Sequence, residues 1–104
     1  MEHRTLDPET ELVILAGELG LEKAPALEQL LVVILDSGKK RLLVDLSDVT
    51  YIDSAILGVL VGASKRLVPQ GGGVTIACPD ENIRQVLEIT ELDRVFEIVD
   101  SLDP

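Results

Sequence analysis

Tyr51-Ile52-Asp53-Ser54-Ala55-Ile56-Leu57-Gly58-Val59-Leu60-Val61-Gly62 changes its hydrophobic period partway along. Before it, Arg41-Leu42-Leu43-Val44-Asp45-Leu46 reads as a buried strand and Ser47-Asp48-Val49-Thr50 as a polar turn. Beyond Ser54 the apolar positions stop alternating and the small residues Gly58 and Gly62 fall four apart, the spacing of a helix. Asp53 and Ser54 therefore sit where a helix begins. Unpaired backbone N–H groups and the positive end of the helix dipole gather there, so an anion, including a phosphate on Ser54, is well placed at that point.

Working outward, the chain reads as alternating strands and helices. Arg4 to Leu6 is expected as a short edge strand ended by Pro8, and Glu11 to Ala16 as a strand closed by Gly17. Pro25 suits the first turn of a helix. Leu27, Leu30, Leu31, Ile34 and Leu35 then recur at helical spacing as far as Gly38. The helix after Asp53 is expected to end near Leu67, before Pro69, and Gly73 to Cys78 to form the next strand. Pro79-Asp80-Glu81 opens a further helix with Ile83, Val86 and Leu87 on its inner face, and Val95 to Val99 is a final strand. Such alternation implies right-handed crossovers and a sheet with helices packed on it.

Composition narrows the function classes. The 104 residues suit one small domain. Hydrophobic residues make up 46% of the chain, but the only aromatics are Tyr51 and Phe96, so the core must be aliphatic. Met1-Glu2-His3-Arg4-Thr5 lacks the apolar segment of a secretory signal. No apolar run reaches the roughly 18 residues of a membrane span. The single cysteine, Cys78, excludes an internal disulfide, fits a reducing cytoplasm and reads as a buried, inert thiol. A net charge of −10 repels nucleic-acid phosphates, and Lys39-Lys40-Arg41 is one cluster at a turn rather than a basic stripe. The acidity suits a basic protein partner, or simply solubility.

The candidate chemical sites each have a structural explanation. Asp53 and Ser54 are both preferred helix N-caps, and capping is compatible with phosphorylation of Ser54. Gly71-Gly72-Gly73 follows a helix and precedes a strand, the reverse of a nucleotide-binding loop, and reads as a helix C-terminal turn. Gly58 and Gly62 are expected to permit close packing of the helix on its neighbours. His3 is the only histidine, in a terminus expected to fray, so a serine nucleophile has no base, and Cys or His metal ligands are lacking. No enzymatic role, cofactor or metal is expected.

Val44-Asp45-Leu46-Ser47-Asp48-Val49-Thr50-Tyr51-Ile52-Asp53-Ser54, followed by Leu57-Gly58-Val59-Leu60, resembles the central motif of the STAS family, and within it the bacterial anti-sigma-factor antagonists. Gly17-Glu18-Leu19 with Ala24 and Leu27, then Gly72-Gly73, Val86-Leu87 and Leu92-Asp93-Arg94-Val95-Phe96, extend the likeness over roughly Glu11 to Asp100. The resemblance implies a single α/β domain over residues 1–104 with its core at about 11–100. Its fold would be a mixed central sheet of about four to five strands, with three to four helices packed mainly on one face. It implies that Ser54 accepts a phosphate from a serine-kinase anti-sigma factor, which carries the ATP and magnesium, and that a metal-dependent serine phosphatase removes it. The unphosphorylated form would bind the kinase and release a sigma factor. Asp53, Ala55, Ile56, Gly58, Glu18 and Gly20 would share the partner-binding surface with Ser54.

The chain departs from the family pattern at three places. Gly20 stands where antagonists carry an acidic residue after Gly-Glu-Leu, with Glu18 or Glu22 as its substitute. Ala55-Ile56 replaces Ser/Thr-Gly after the phosphoacceptor, so Ile56 bears on the choice of partner. The chain stops at Ser101-Leu102-Asp103-Pro104, where members continue into a final helix, an arrangement expected to leave an apolar face for a homodimer or a partner to cover. Two alternatives stay open: a non-catalytic STAS scaffold subunit of a signalling assembly, and an accessory subunit of a transporter.

Overall fold

A computed structural model describes residues 1–78 and 80–102. Five strands lie in one sheet in the order of the chain: β1 (Glu2–Asp7), β2 (Thr10–Leu19), β3 (Arg41–Ile52), β4 (Gly73–Ala77) and β5 (Glu97–Val99). β1 runs antiparallel to β2, and β2 to β5 are parallel, so the sheet is mixed. The helices α1 (Ala24–Asp36), α2 (Ser54–Leu67) and α3 (Glu81–Ile89) each bridge two neighbouring parallel strands. Right-handed crossovers between strands laid down in sequence order put all three helices on the same face.

Burial follows that geometry. Val13 and Leu15 of β2, Leu42, Val44 and Leu46 of β3, and Val74 and Ile76 of β4 alternate inward, beneath Leu27, Leu31, Ile34 and Leu35 of α1 and Ile56, Leu57 and Leu60 of α2. Their partners in the other phase, Leu12, Ile14, Leu43 and Thr75, lie on the face without helices and are half-buried. Phe96 is buried in the aliphatic core and Tyr51 is exposed. Of the residues expected on the inner face of α3, Ile83 and Leu87 are buried, whereas Val86 turns out to solvent. Asp80 caps α3 by accepting from the Asn82 and Ile83 N–H groups; Pro79, expected to open that helix, lies outside the described residues.

Several boundaries differ from expectation for identifiable reasons. Gly17 does not close β2. It takes φ +77° inside a strand that continues to Leu19, at one of two register shifts in the β2–β3 ladder. The same irregularity carries β3 through Ser47-Asp48-Val49-Thr50, which is strand and not turn. Inward positions there pass from every second residue (Leu42, Val44, Leu46) to every third (Val49, Ile52), as bulges require. β5 begins at Glu97 rather than Val95, because a 3-10 turn over Leu92–Arg94 occupies the approach.

β1 spans Glu2–Asp7, longer than expected, and His3 is not frayed. His3 pairs with Val13, and its Nδ1 lies 2.7 Å from Oε2 of Glu11, a carboxylate 3% exposed that also accepts from the Thr5 hydroxyl at 2.7 Å. At the other end of the sheet Gly71 takes φ +82° after α2. Gly72 lies so near the Lys40 backbone that an added Cβ would stand 2.7 Å from its carbonyl carbon.

Candidate functional site

The site is the turn from β3 into α2. The ladder sets Glu18 beside Tyr51 and Leu19 beside Ile52, and the Asp53 N–H donates to the Leu19 carbonyl at 2.9 Å. The ends of β2 and β3 are thereby fixed together, and Glu18, Gly20, Asp53 and Ser54 share one corner of the sheet.

Asp53 is the N-cap of α2: its backbone is extended (φ −82°, ψ 152°) and its Oδ1 accepts the Ala55 N–H at 2.8 Å. Its main-chain carbonyl accepts from Ile56 N and Leu57 N at 3.0 and 3.3 Å. Ser54 is the first helical residue; it is exposed, and its hydroxyl has no hydrogen-bond partner among the described residues. The division of labour left open by residue type is thus settled for capping, which belongs to Asp53. Chemically, the corner presents a free hydroxyl at the positive end of a helix, next to a carboxylate already engaged with the backbone.

The other expected site residues separate into two groups. Ala55 is half-buried and Gly58 exposed on the outer side of α2. Ile56 is fully buried against the sheet, so its side chain is withdrawn from any docking surface. Glu18 is exposed, and its carbonyl accepts from Lys23 Nζ at 2.8 Å. Gly20 has ordinary backbone angles (φ −77°, ψ 173°), and the space beside it is filled: a Cβ placed there would stand 2.7 Å from Glu22 Oε1. Glu22 thus lays its carboxylate where a side chain of residue 20 would lie.

Gly58 and Gly62 depart from the close packing expected of them. Neither would meet any atom within 4 Å if given a Cβ. Between α1 and α2, in front of them, lies a groove of about 400 Å³ lined by Leu31, Val32, Leu35, Val59 and Ala63, with Glu28 and Arg66 on its rim. Arg66 is ion-paired with Asp36 of α1. Sequence reasoning passed over this groove; its available signal was Val32, an apolar residue outside the Leu27, Leu31, Ile34 and Leu35 stripe, which the structure leaves exposed together with Val33.

Away from the corner, Cys78 is fully buried. Burial pushes its thiol up, the carboxylate of Asp80 adds to this, and the Arg84 charge opposes it, which keeps the sulfur in its unreactive form. No helix among the described residues is long and apolar enough to cross a membrane.

Known proteins agree with this architecture. A Thermotoga neapolitana protein named as an anti-sigma factor antagonist, TM1081 homolog, is 41% identical over 68 residues, 65% of this chain and 60% of that protein. The chain therefore spans less than two thirds of that relative's length. The anti-sigma-B factor antagonist of Bacillus subtilis is 36% identical over 86 residues, covering 83% of this chain and 78% of the relative. The crystal structure of an anti-sigma factor antagonist from Thermotoga maritima superposes with a TM-score of 0.89 at 30% identity, over 97% of this chain and 86% of the other. The STAS domain pattern matches residues 7–103, nearly the full length, and the chain belongs to the STAS domain family.

Proposed function

We propose that this protein is an anti-sigma-factor antagonist whose partner binding is switched by phosphorylation of Ser54. The observation that carries the proposal is the free, exposed hydroxyl of Ser54 at the first position of α2, with Asp53 and not Ser54 serving as the cap. A kinase can remove Ser54 from solvent without breaking any hydrogen bond of the fold. The anti-sigma-factor-antagonist names of its relatives support the same role.

In this proposal the unphosphorylated chain binds a serine-kinase anti-sigma factor in the cytoplasm and frees a sigma factor. The kinase brings ATP and magnesium, and a serine phosphatase resets the switch. The chain itself catalyses nothing and binds no nucleic acid, and residues 1–104 act as one domain. Phosphorylation adds about −1.5 to −2 charges beside Asp53. Because Asp53 already occupies the Ala55 N–H, the new dianion gains little from the helix end and must be desolvated against a like charge when the partner docks. The fold tolerates the phosphate and the interface does not. Asp53, Ala55 and Gly58 form the contact strip, with Glu22, Glu18 and the Gly20 backbone at its edge; Ile56 acts only by positioning α2 from beneath.

The test uses wild type and Ser54→Asp as parallel baits in host lysate, followed by phosphorylation of wild type and Ser54→Ala with the kinase recovered. Capture of a serine-kinase anti-sigma factor by wild type alone, with no phosphate on Ser54→Ala, is the expected result. Equal capture of other STAS proteins or of transporter subunits by both baits overturns it.

A further inference from the structure

β1 is the one strand that gives nothing to the hydrophobic core. All of its residues are exposed, whereas even the short β5 packs Ile98 against the buried cluster. It lies at the edge of the sheet, pairs with β2 alone and slips register between Thr5 and Asp7. Such a strand is held by its ladder and by its polar contacts, and belongs to the part of a fold that opens most easily. Those contacts converge on one buried group. The Glu11 carboxylate, 3% exposed, accepts from His3 Nδ1 on one oxygen and from the Thr5 hydroxyl on the other, both at 2.7 Å. From the other elements, Lys39 in the loop between α1 and β3 brings a charge toward it, and β3 sets the apolar Leu42 beside it. The turn end of the hairpin is fixed separately. Lys39 Nζ donates to the carbonyls of Asp7 and Pro8 at 3.2 and 3.3 Å, and the Asp7 carboxylate accepts the Glu9 N–H at 2.9 Å.

We propose that β1 is a strap that opens as a unit while the rest of the domain stays folded, fastened by Glu11 through His3 and Thr5 and released when that carboxylate takes up a proton. Both fastening side chains come from β1, so one buried group controls the whole free end of the strand. A proton on Glu11 removes its charge and turns one acceptor oxygen into a donor, and the charge-assisted bonds to His3 and Thr5 weaken together. Because those bonds favour the ionised form in the closed state, the strap is fastened above the carboxylate range and loosens as pH falls through it. The strand pivots at the turn, where Lys39 keeps its hold on the Asp7 and Pro8 carbonyls. Opening has a defined structural result. β1 pairs only with Thr10 to Ile14, so Leu15 to Leu19 already lack a strand on that side, and release bares the β2 edge along its full length. The strap does not depend on the kinase proposal for Ser54.

The test is native-state amide hydrogen exchange on the full chain, read residue by residue as protection relative to an unstructured peptide at the same pH. The amides of β1 are compared with those of Val44 and Ile76, fully buried in the central strands β3 and β4. In wild type, β1 protection is expected to lie below that of Val44 and Ile76, and to fall by roughly tenfold more than theirs between about pH 7 and about pH 3.5. Glu11→Gln should leave β1 less protected at neutral pH and remove this extra fall, which separates Glu11 from Asp7, the other carboxylate of the hairpin held by a backbone N–H. Thr5→Val, an exposed change that keeps strand preference, should lower β1 protection several-fold at neutral pH and leave Val44 and Ile76 unmoved. Exchange of β1 in step with Val44 and Ile76 at every pH would overturn the proposal. So would a Glu11→Gln variant that keeps the wild-type pH dependence, or a Thr5→Val variant that lowers all these amides equally.

Discussion

The carboxylate of Asp53 accepts the N–H of Ala55 at 2.8 Å and so bridges over Ser54, holding the helix end in place while the hydroxyl between them stays unbonded. The capping residue and the proposed phosphoacceptor are adjacent, and substitutions can separate them.

Asp53→Ala removes the cap and should cost about 1 kcal/mol, seen as a fall of roughly 4–8 °C in Tm. Asp53→Asn keeps the capping oxygen and should melt within a few degrees of wild type. If both variants fall equally, the charge of Asp53 matters to the fold and capping is the wrong account.

Ser54→Ala should leave stability within about 0.5 kcal/mol of wild type, as expected at an exposed position outside any hydrogen-bond network. Urea titration measures this directly. A larger loss would mean that the hydroxyl has a structural partner and is not held free for a kinase.

Two glycines should respond in opposite directions. Gly58→Ala meets open space in a helix and should stabilise by about 0.5–1 kcal/mol. Gly72→Ala drives a methyl group into the Lys40 backbone, which Gly73 N also bonds at 3.1 Å, and should destabilise by more than Gly58→Ala gains. Thermal melts of the two variants check the contrast.

Glu11 should set part of the acid limit of the fold. Burial pushes its carboxyl up, but the hydrogen bonds from Thr5 and His3 and the charges of His3 and Lys39 together outweigh burial and hold it below the ordinary value of 4.5. A carboxyl lowered in the folded state contributes stability above its unfolded pKa and loses it as pH falls through the folded value. Glu11→Gln should therefore flatten the stability profile below about pH 4.5, while costing about 1–3 kcal/mol at pH 7 through weakened bonds to Thr5 and His3. An unchanged acid limb in urea titrations across pH 3–7 would assign the acid sensitivity to other carboxylates.

Much of this was legible in the residues themselves. The spacing of Leu27, Leu31, Ile34 and Leu35 placed α1, and the change of period at Asp53 placed the start of α2 and hence the Ser54 corner. What escaped depends on pairing across the sheet. Ser47-Asp48-Val49-Thr50 looks like a turn because polar residues interrupt alternation, and only the bulges against β2 keep it in the ladder. The Glu11 cluster needs the antiparallel register that sets Thr5 opposite Glu11. That Glu22 fills the space beside Gly20 follows from a 3-10 turn over Leu21–Lys23, for which three residues give no periodic signal. The burial of Ile56 was hidden because its neighbours Ala55 and Leu57 allowed more than one helical phase.

The sheet order β1-β2-β3-β4-β5 also bears on how the chain reaches this state. Every strand pairs only with strands adjacent to it in the sequence, so no strand has to be threaded between two that have already joined. During synthesis each strand–helix unit can settle on the one before it as it emerges, with the growing edge always facing the segment still to come. The loops to be closed are those of single crossovers, which keeps contacts local for a parallel sheet and should make folding fast for this class. The Ser54 corner is complete once β3 has joined β2 and α2 has packed, before β4, α3 and β5 exist.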